Sequence, residues 1–575
     1  MKTTPDLRSR FALVAVALAV SGTITGCGGG SSDNAAPPAS TALALSGTAT
    51  DGSANPIASR AVDAKCSTGS GATTTNGSGS FTLSIDGAKL PCVARVTKDD
   101  GSVLHTVATG SGTSATANIT PATQLIVANL AGTDPAAYYD TGFAATPPTA
   151  AAVTASQGAV VATLKSGGVD FTPAGDLIGA APTPAYTTAL ASLSSALAAA
   201  DTTLPALTAT IAATSTTTAT GSATTNGVAS LPADLLLKPA ASNCPALRSG
   251  SYRVVAPFEG PALADKYGKL VINAATLAIV FTDGSTGTWA ANGRCRYTDD
   301  GGRTDIVVSQ AGVLSSRYTN DAGATYRPAF AFPEQSHTLA EVAGTWNAIG
   351  LNRNAANTAY TGAAFTATFD GTGTISAVTV CQDDATWSVS GAACTSQVAS
   401  DSLRANADGG FDAVDKASGA VVARVFAYQA GGGELMAMLV TPSGSFRMLT
   451  KQRTNALPAV NAVQTFWNLA VNNQLSAAGP LSVSSNTIVS VDSAAASWLR
   501  SQKTVGGAND SPHPETLFAN QPRNGYTLRN AGMATAADGS TATFNEFTVL
   551  GLRGMGLNPL ILPASKTFVL SVAQP

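Results

Sequence analysis

The chain has 575 residues, of which 12% are charged and 44% hydrophobic, and its formal net charge is -3 at pH 7. At about 150 residues per domain this length predicts about four domains, and the hydrophobic content is sufficient for folded cores. The near-neutral charge lacks the basic footprint of nucleic-acid-binding proteins, so we expect no nucleic acid partner. The low charged content also excludes the class of highly charged disordered proteins.

The N-terminal segment has the features of an export signal. Three basic residues precede the ten apolar residues 11–20, which are too few to span a bilayer as a helix but typical of a signal peptide. Residues 24–27 (Ile-Thr-Gly-Cys) resemble the lipobox of bacterial lipoproteins. The resemblance implies a signal peptide over residues 1–26 and lipid attachment to Cys27. The alternative is an ordinary secretory signal with an unrelated cysteine.

The residues that follow Cys27 fit a membrane tether. Residues 27–40 are rich in Gly, Ser and Pro, a composition typical of flexible linkers. In lipoproteins, Gly28 at the position after the lipidated cysteine implies sorting to the outer membrane, facing either the periplasm or the cell exterior. Several acyl chains would make this attachment effectively permanent. No later apolar run approaches 18 residues, so we expect no transmembrane helix.

The seven cysteines make an odd count, which becomes even once Cys27 is assigned to the lipid. Six cysteines in an oxidising compartment indicate disulfides, although many connectivities are possible. We predict sequence-local pairing because each pair then lies within one domain: Cys66 with Cys92, Cys244 with Cys295, and Cys381 with Cys394. The rival interpretation is metal ligation, but without CxxC spacing and with three histidines we expect no metal site.

The first folded region is a predicted β-sandwich over residues 41–119. Short alternating segments are separated by turn residues, as is typical of strands. Three motifs at residues 47–52, 56–62 and 75–81 resemble the carboxypeptidase regulatory-like, transthyretin-like family, with Asn76 replacing its usual Asp. The resemblance implies a structural or adhesive module without catalysis.

A helical segment follows over residues 120–212. Thr120 and Pro121 form a predicted N-cap and first helical position, and Gly132 a predicted C-terminus. Further helices are predicted over residues 149–165 and about 185–200, and a fourth follows residue 205. These Ala-rich helices carry few charges, so we expect them to pack together or on the sandwich. Residues 213–240 contain a predicted linker.

The remainder is predicted to form three antiparallel β-domains, barrel-like or sandwich-like, over residues 241–338, 339–458 and 459–575. Each begins with an aromatic residue in a short strand, at Tyr252, Trp346 and Trp467. The predicted fold class is therefore mainly β, with an N-terminal sandwich and a helical insert.

The second of these domains has the best defined start. Thr338 and Glu341 match a capping box, and Gly344 and Trp346 resemble the G-x-W opening of lipocalin-type barrels, in which a short helix precedes the first strand. The resemblance implies a barrel that binds a small apolar ligand, with Trp346, Trp387 and Tyr428 as candidate pocket residues. The alternative is a Trp that plugs one end of an ordinary β-domain.

Motifs for catalysis are absent. The sequence contains no G-x-S-x-G, H-E-x-x-H or Walker motif, and we expect no enzyme and no cofactor. We expect His105, His337 and His513 to be structural or solvated. The acidic loop residues are predicted to lie in solvated turns rather than to bind calcium, since they lack EF-hand spacing; they are Asp299, Asp300, Asp321, Asp383 and Asp384.

Three functions follow in order of expectation. The first is a lipid-anchored bacterial envelope protein with a structural, interaction or display role, whose partners are the membrane and an envelope protein or polysaccharide. The second is a binder of small apolar ligands in a lipocalin-like barrel. The third is an uncharacterised hydrolase with a site near His337 or Glu334.

Overall fold

A computed structural model describes the chain over residues 42–200, 202–215, 231–299, 301–319, 326–353, 359–382, 386–389, 394–431, 433–473, 480–505, 513–536 and 539–574. The predicted signal peptide, the tether with Cys27 and most of the predicted linker lie outside these residues. Strands hold 48% and helices 17% of the structure, which confirms the predicted fold class.

The N-terminal part is a β-sandwich of two sheets. Its strands are β1 (Leu43–Thr48), β2 (Ala61–Thr68), β3 (Ser70–Thr74), β4 (Ser80–Ile85), β5 (Lys89–Thr97), β6 (Val103–Ala108) and β7 (Ser114–Thr116). One sheet has the order β4-β1-β7 and the other β3-β2-β5-β6. The inner faces alternate, so that Phe81, Leu83 and Ile85 of β4 are all buried. Residues 42–119 thus form a seven-stranded sandwich.

The helical segment packs against the outer face of β6. Its helices are α1 (Pro121–Ala131), α2 (Pro135–Ala137), α3 (Phe143–Ala145), α4 (Ala150–Ser166), α5 (Pro184–Ala199), α6 (Leu204–Ser215) and α7 (Ala233–Leu236). The predicted caps are present: the Thr120 hydroxyl accepts from the Thr123 N–H, and Gly132 adopts the left-handed conformation with φ 60°. His105 of β6 is buried beside α1, where its ring contacts Gln124. Burial lowers the pKa of His105, and its role is structural.

A closed eight-stranded barrel, the first barrel, follows a short hairpin of β8 (Ala240–Ala241) and β9 (Cys244–Arg248). Its strands are β10 (Gly250–Val255), β11 (Tyr267–Asn273), β12 (Ala278–Phe281), β13 (Thr286–Ala291), β14 (Arg296–Asp299), β15 (Thr304–Val308), β16 (Leu314–Tyr318) and β17 (Arg327–Pro333). Each strand pairs with the next in the chain, and β10 pairs with β17 to close the ring.

A nine-stranded antiparallel sheet, the middle barrel, begins after the short helix α8 (Leu339–Val342). Its strands are β18 (Gly344–Arg353), β19 (Tyr360–Phe369), β20 (Ile375–Val380), β21 (Thr395–Gln397), β22 (Asp401–Ala405), β23 (Phe411–Asp415), β24 (Val421–Gln429), β25 (Leu435–Val440) and β26 (Phe446–Lys451). The order is β21-β20-β19-β18-β26-β25-β24-β23-β22. Thr374 and Ser402 form an isolated bridge, and the Leu403 N–H donates to the Gly373 carbonyl at 2.8 Å. The sheet therefore curls until β20 meets β22.

The third barrel is closed and has eight strands, with an inserted hairpin. Its strands are β27 (Val463–Asn472), β28 (Ser482–Asp492), β29 (Ser497–Val505), β30 (His513–Ala519), β31 (Tyr526–Arg529), β34 (Phe547–Leu550), β35 (Leu557–Leu562) and β36 (Thr567–Ala573), and the hairpin consists of β32 (Gly532–Thr535) and β33 (Thr541–Phe544). His513 is buried at the start of β30. The three predicted aromatic starts thus lie in β10, β18 and β27, the first strand of each barrel.

The three barrels share one hydrophobic cluster. Phe446, on the outer face of the middle barrel, contacts Phe330 of the first barrel and Phe568 of the third, with ring centroids 5.5 Å and 5.3 Å apart. Both faces of the middle barrel's central strands are therefore buried, one inside the barrel and the other between its neighbours.

The six remaining cysteines form three disulfides: Cys66–Cys92 across β2 and β5, Cys244–Cys295 and Cys381–Cys394. These are the pairs predicted from sequence locality. In the described part of the chain, no helix is long and apolar enough to cross a bilayer.

Candidate functional site

The concave side of the middle barrel holds a partly open cavity of about 350 Å³. Its lining comes from α8 and from every strand of the barrel except β21, and on most strands the lining side chains alternate with outward-facing ones. On β25, for example, Ala437 and Leu439 face the cavity, while Met436 and Met438 belong to the cluster outside. Among the described lining residues, only Asp401, Thr441 and Arg447 are not apolar.

Five of the described lining residues are alanines, and their small side chains contribute space to the cavity. Small side chains do not meet across the barrel centre, whereas the interiors of eight-stranded barrels are often filled by larger ones. The alanines of the lining come from β19, β23, β24 and β25: Ala367, Ala413, Ala423, Ala427 and Ala437.

The short helix α8 and Trp346 close one end of the cavity. The Thr338 hydroxyl accepts from the Glu341 N–H, and the Glu341 carboxylate accepts from the Thr338 N–H, so the predicted capping box is present. The Trp346 indole N–H donates to the Val342 carbonyl at 2.8 Å, and its ring stacks on Phe369. Trp346 is 1% exposed. The helix and first strand implied by the G-x-W resemblance are both present.

Arg447 of β26 is the cationic side chain of the lining. Its Nη2 donates to Asn352 Oδ1 at 2.7 Å, and its guanidinium lies 5.6 Å from the centroid of the Phe365 ring. Its Nε is buried and has no hydrogen-bond partner among the described residues. Burial lowers the pKa of Arg447 to about 10, with no offsetting charge from a described carboxylate. The side chain is therefore charged at neutral pH, and no carboxylate in the described ranges pairs with it.

Asp401 lines the cavity from β22. Its carboxylate accepts from the Ser400 hydroxyl at 2.9 Å. Asp401 and Arg447 are the two charged groups of the described lining, and they do not form an ion pair with each other.

Only one of the three predicted pocket residues lines the cavity. Trp346 does, but Trp387 and Tyr428 belong to the shared cluster outside the barrel. Tyr428 follows the inward-facing Ala427, so strand alternation turns it outward, where its hydroxyl donates to the Ala311 carbonyl of the first barrel at 2.5 Å. Trp387 lies over Gly362, next to Ile561 of the third barrel.

The residues named for a hydrolase site make structural contacts. The Glu334 carboxylate lies 2.9 Å from Arg253, 2.6 Å from Lys269 and 2.7 Å from the Ser251 hydroxyl. Burial raises the pKa of Glu334, but the hydrogen bonds from Lys269 and Ser251 and the charge of Arg253 outweigh it and lower the pKa. The His337 ring contacts Gln335 Oε1 at 3.0 Å, and burial lowers its pKa.

Of the five acidic loop residues, one lies in the described part of the chain. Asp299 Oδ1 accepts the Arg303 and Thr304 N–H groups, which is a turn role. Asp300, Asp321, Asp383 and Asp384 lie outside the described residues. Over the ranges that the structure describes, no group of three His, Cys, Asp or Glu side chains is placed to hold a metal.

Sequence reasoning missed Arg447, Asn352 and Phe365. A single Arg in an otherwise apolar strand indicates a special position, but the sequence does not show which face of the sheet its side chain lies on. Phe446, Met448 and Leu449 are all apolar, so the usual contrast between a buried and a solvated face is missing.

Comparisons with known proteins find no matching family model and no matching curated protein. Among solved structures, the chain is similar to a surface lipoprotein, with 9% identity, a TM-score of 0.15, and coverage of 40% of this chain and 98% of that one. It is also similar to a mutant of the vaccine antigen transferrin-binding protein B from Actinobacillus pleuropneumoniae, with 10% identity, a TM-score of 0.15, and coverage of 40% and 98%. A third is a protein of unknown function of the DUF3598 family from Nostoc punctiforme, with 11% identity, a TM-score of 0.13, and coverage of 42% and 100%. TM-scores this low carry no argument about function.

Proposed function

We propose that this protein is a lipid-anchored protein of the bacterial envelope that binds a small apolar ligand in the middle barrel. The cavity of about 350 Å³ carries the proposal. Ligand sites in proteins are mostly apolar and begin at about 300 Å³. A barrel filled with side chains would have removed this function.

The energetics favour an apolar occupant. A cavity lined by alanine, aliphatic and aromatic side chains lacks the polar partners that hold water in place. An apolar ligand gains about 25 cal/mol for each Å² of apolar surface removed from water. It also restores the dispersion contacts that the alanine wall leaves unmade.

The location rests on the N-terminal sequence. The lipobox-like residues 24–27 support lipid attachment at Cys27, and Gly28 supports sorting to the outer membrane. Anchoring would hold the cavity close to a membrane, which is a source of apolar ligands.

A binding assay with a matched pair of variants tests the cavity. The probe is N-phenyl-1-naphthylamine, a neutral dye whose fluorescence rises in apolar surroundings, added to the full chain carrying Cys27→Ser in detergent-free buffer. Ala437→Leu adds a larger side chain inside the cavity, and Ala377→Leu makes the same change at an exposed position of β20. We expect Ala437→Leu to weaken dye binding by about tenfold or more and Ala377→Leu to leave it unchanged.

Two results would contradict the proposal. One is the absence of saturable dye binding to the Cys27→Ser chain, and the other is equal weakening by both leucine variants. Either result would favour our first sequence-based expectation, a structural or display role without a ligand. That role and the hydrolase stay predictions.

A further inference from the structure

We infer that the ligand of the middle barrel is an amphiphile with an anionic head, which Arg447 binds while the apolar tail extends towards Trp346. The inference rests on the proposed function and names the chemical class of its ligand. Four observations carry it: the charge of Arg447, its vacant donor, its place along the barrel wall and the apolar lining around it.

Arg447 has no counter-ion among the residues that the structure describes. Two other arginines of this barrel wall have carboxylate partners: Arg424 lies 2.9 Å from Asp412, and Arg404 lies 3.1 Å from the same carboxylate. Buried charges in proteins are nearly always paired, since an isolated buried charge is costly. The unpaired guanidinium therefore indicates that an anion binds beside it.

The donors of Arg447 are suited to an oxyanion. A guanidinium carries five N–H donors in a plane and binds carboxylate or phosphate through two parallel hydrogen bonds. The structure uses Nη2 for Asn352 and leaves the buried Nε without a partner in the described part of the chain. A neutral ligand could accept a hydrogen bond from this donor but would leave the charge without a counter-ion, and a cationic ligand would be repelled.

The register of β18 and β26 gives the direction of the tail. Arg447 pairs with Gly350, and Trp346 pairs with Lys451, four residues further along β26. At about 3.3 Å per residue, about 13 Å of barrel wall separates Arg447 from the end closed by Trp346 and α8. The lining at that closed end is aromatic and aliphatic, including Phe369 and Leu449.

The test compares head groups on one tail. Tetradecanoate, tetradecanol and tetradecylammonium compete with N-phenyl-1-naphthylamine for the full chain carrying Cys27→Ser. Arg447→Met removes the charge at similar side-chain length, and Arg447→Lys keeps it. Arg404→Met is the matched control, because its side chain is 61% exposed on the same barrel.

We expect tetradecanoate to bind about tenfold or more tighter than tetradecanol, as hydrogen bonds to a charged group imply, and tetradecylammonium to bind weakest. Arg447→Met abolishes the preference for the acid over the alcohol, Arg447→Lys retains part of that preference, and Arg404→Met retains all of it. Equal affinities for the acid and the alcohol, or a preference that survives Arg447→Met, would overturn the inference while dye binding still supports the proposed function. Loss of dye binding to every form, by contrast, would mean that the proposed function itself has failed.

Discussion

Replacing Arg447 by Met should stabilise the ligand-free protein, which is unusual for a partly buried side chain that makes a hydrogen bond. Burial lowers the pKa of this guanidinium to about 10, about two and a half units below its ordinary value of about 12.5. Each unit is about 1.4 kcal/mol, so holding the charge in the cavity costs about 3 kcal/mol. The hydrogen bond to Asn352 offsets about 2 kcal/mol of this cost.

The expected result for Arg447→Met is a free energy of unfolding that rises by about 1 kcal/mol. Urea unfolding and scanning calorimetry of the full chain carrying Cys27→Ser measure it without ligand. A stabilising substitution at a site that binds ligand is the usual trade-off between stability and function.

Arg424→Met is the matched control, because this arginine lies in the same barrel but is paired. It lies 2.9 Å from Asp412 and 2.8 Å from Asp408. Its removal leaves the buried Asp412 carboxylate short of a partner and should cost about 2 kcal/mol or more. If Arg447→Met destabilises the protein as much as Arg424→Met does, Arg447 is a structural cation and the argument from its missing counter-ion is refuted.

Three further predictions concern the anchor, the disulfides and one buried ion pair. Cys27→Ser should abolish incorporation of radiolabelled palmitate and move the protein from the membrane to the soluble fraction; unchanged labelling would contradict the lipobox assignment. Cys244→Ala opens a disulfide between residues 51 apart and should lower the free energy of unfolding by about 4 kcal/mol; non-reducing peptide mapping that finds another partner for Cys244 would refute the pairing. Burial raises the pKa of Glu515, but the charges of its two arginine partners outweigh it and lower the pKa. The stability that this carboxylate contributes is therefore present above its unfolded pKa of about 4.3 and is lost as the pH falls through the folded pKa. Glu515→Gln should lower the free energy of unfolding by about 3 kcal/mol at pH 7 and reduce the loss of stability at acid pH. An unchanged profile of stability against pH would contradict the assignment.

Local chemistry made parts of this fold predictable. The caps at Thr120 and Thr338 depend on side chains within three residues of each other, so the sequence alone places both helix starts. The alternation in β19 and β24 likewise follows from neighbouring residues. The first strand of each barrel carries an aromatic residue that is buried in a hydrophobic cluster, as its size and apolar surface favour.

The cavity could not be predicted in the same way. Both faces of its strands are apolar, because the inner face lines the cavity and the outer face packs on the flanking barrels through Phe446 and its neighbours. The sequence pattern therefore does not distinguish the two faces. Tyr428 therefore looks like a pocket residue in sequence and yet bonds to the first barrel. Whether five alanines leave a space or are covered by larger side chains depends on what lies across the barrel.

The sequence by itself determined the mainly β fold class, the helix caps, the candidate lipid site at Cys27 and a disulfide pairing based on proximity along the chain. These features depend on residues that are near one another in sequence or on composition. Only the tertiary structure decided that Arg447 lies on the inner face of β26, because the sheet has an inner face only once it curls and β20 meets β22. The contact between these strands joins residues such as Gly373 and Leu403, and the curl places the Arg447 cation beside an apolar cavity.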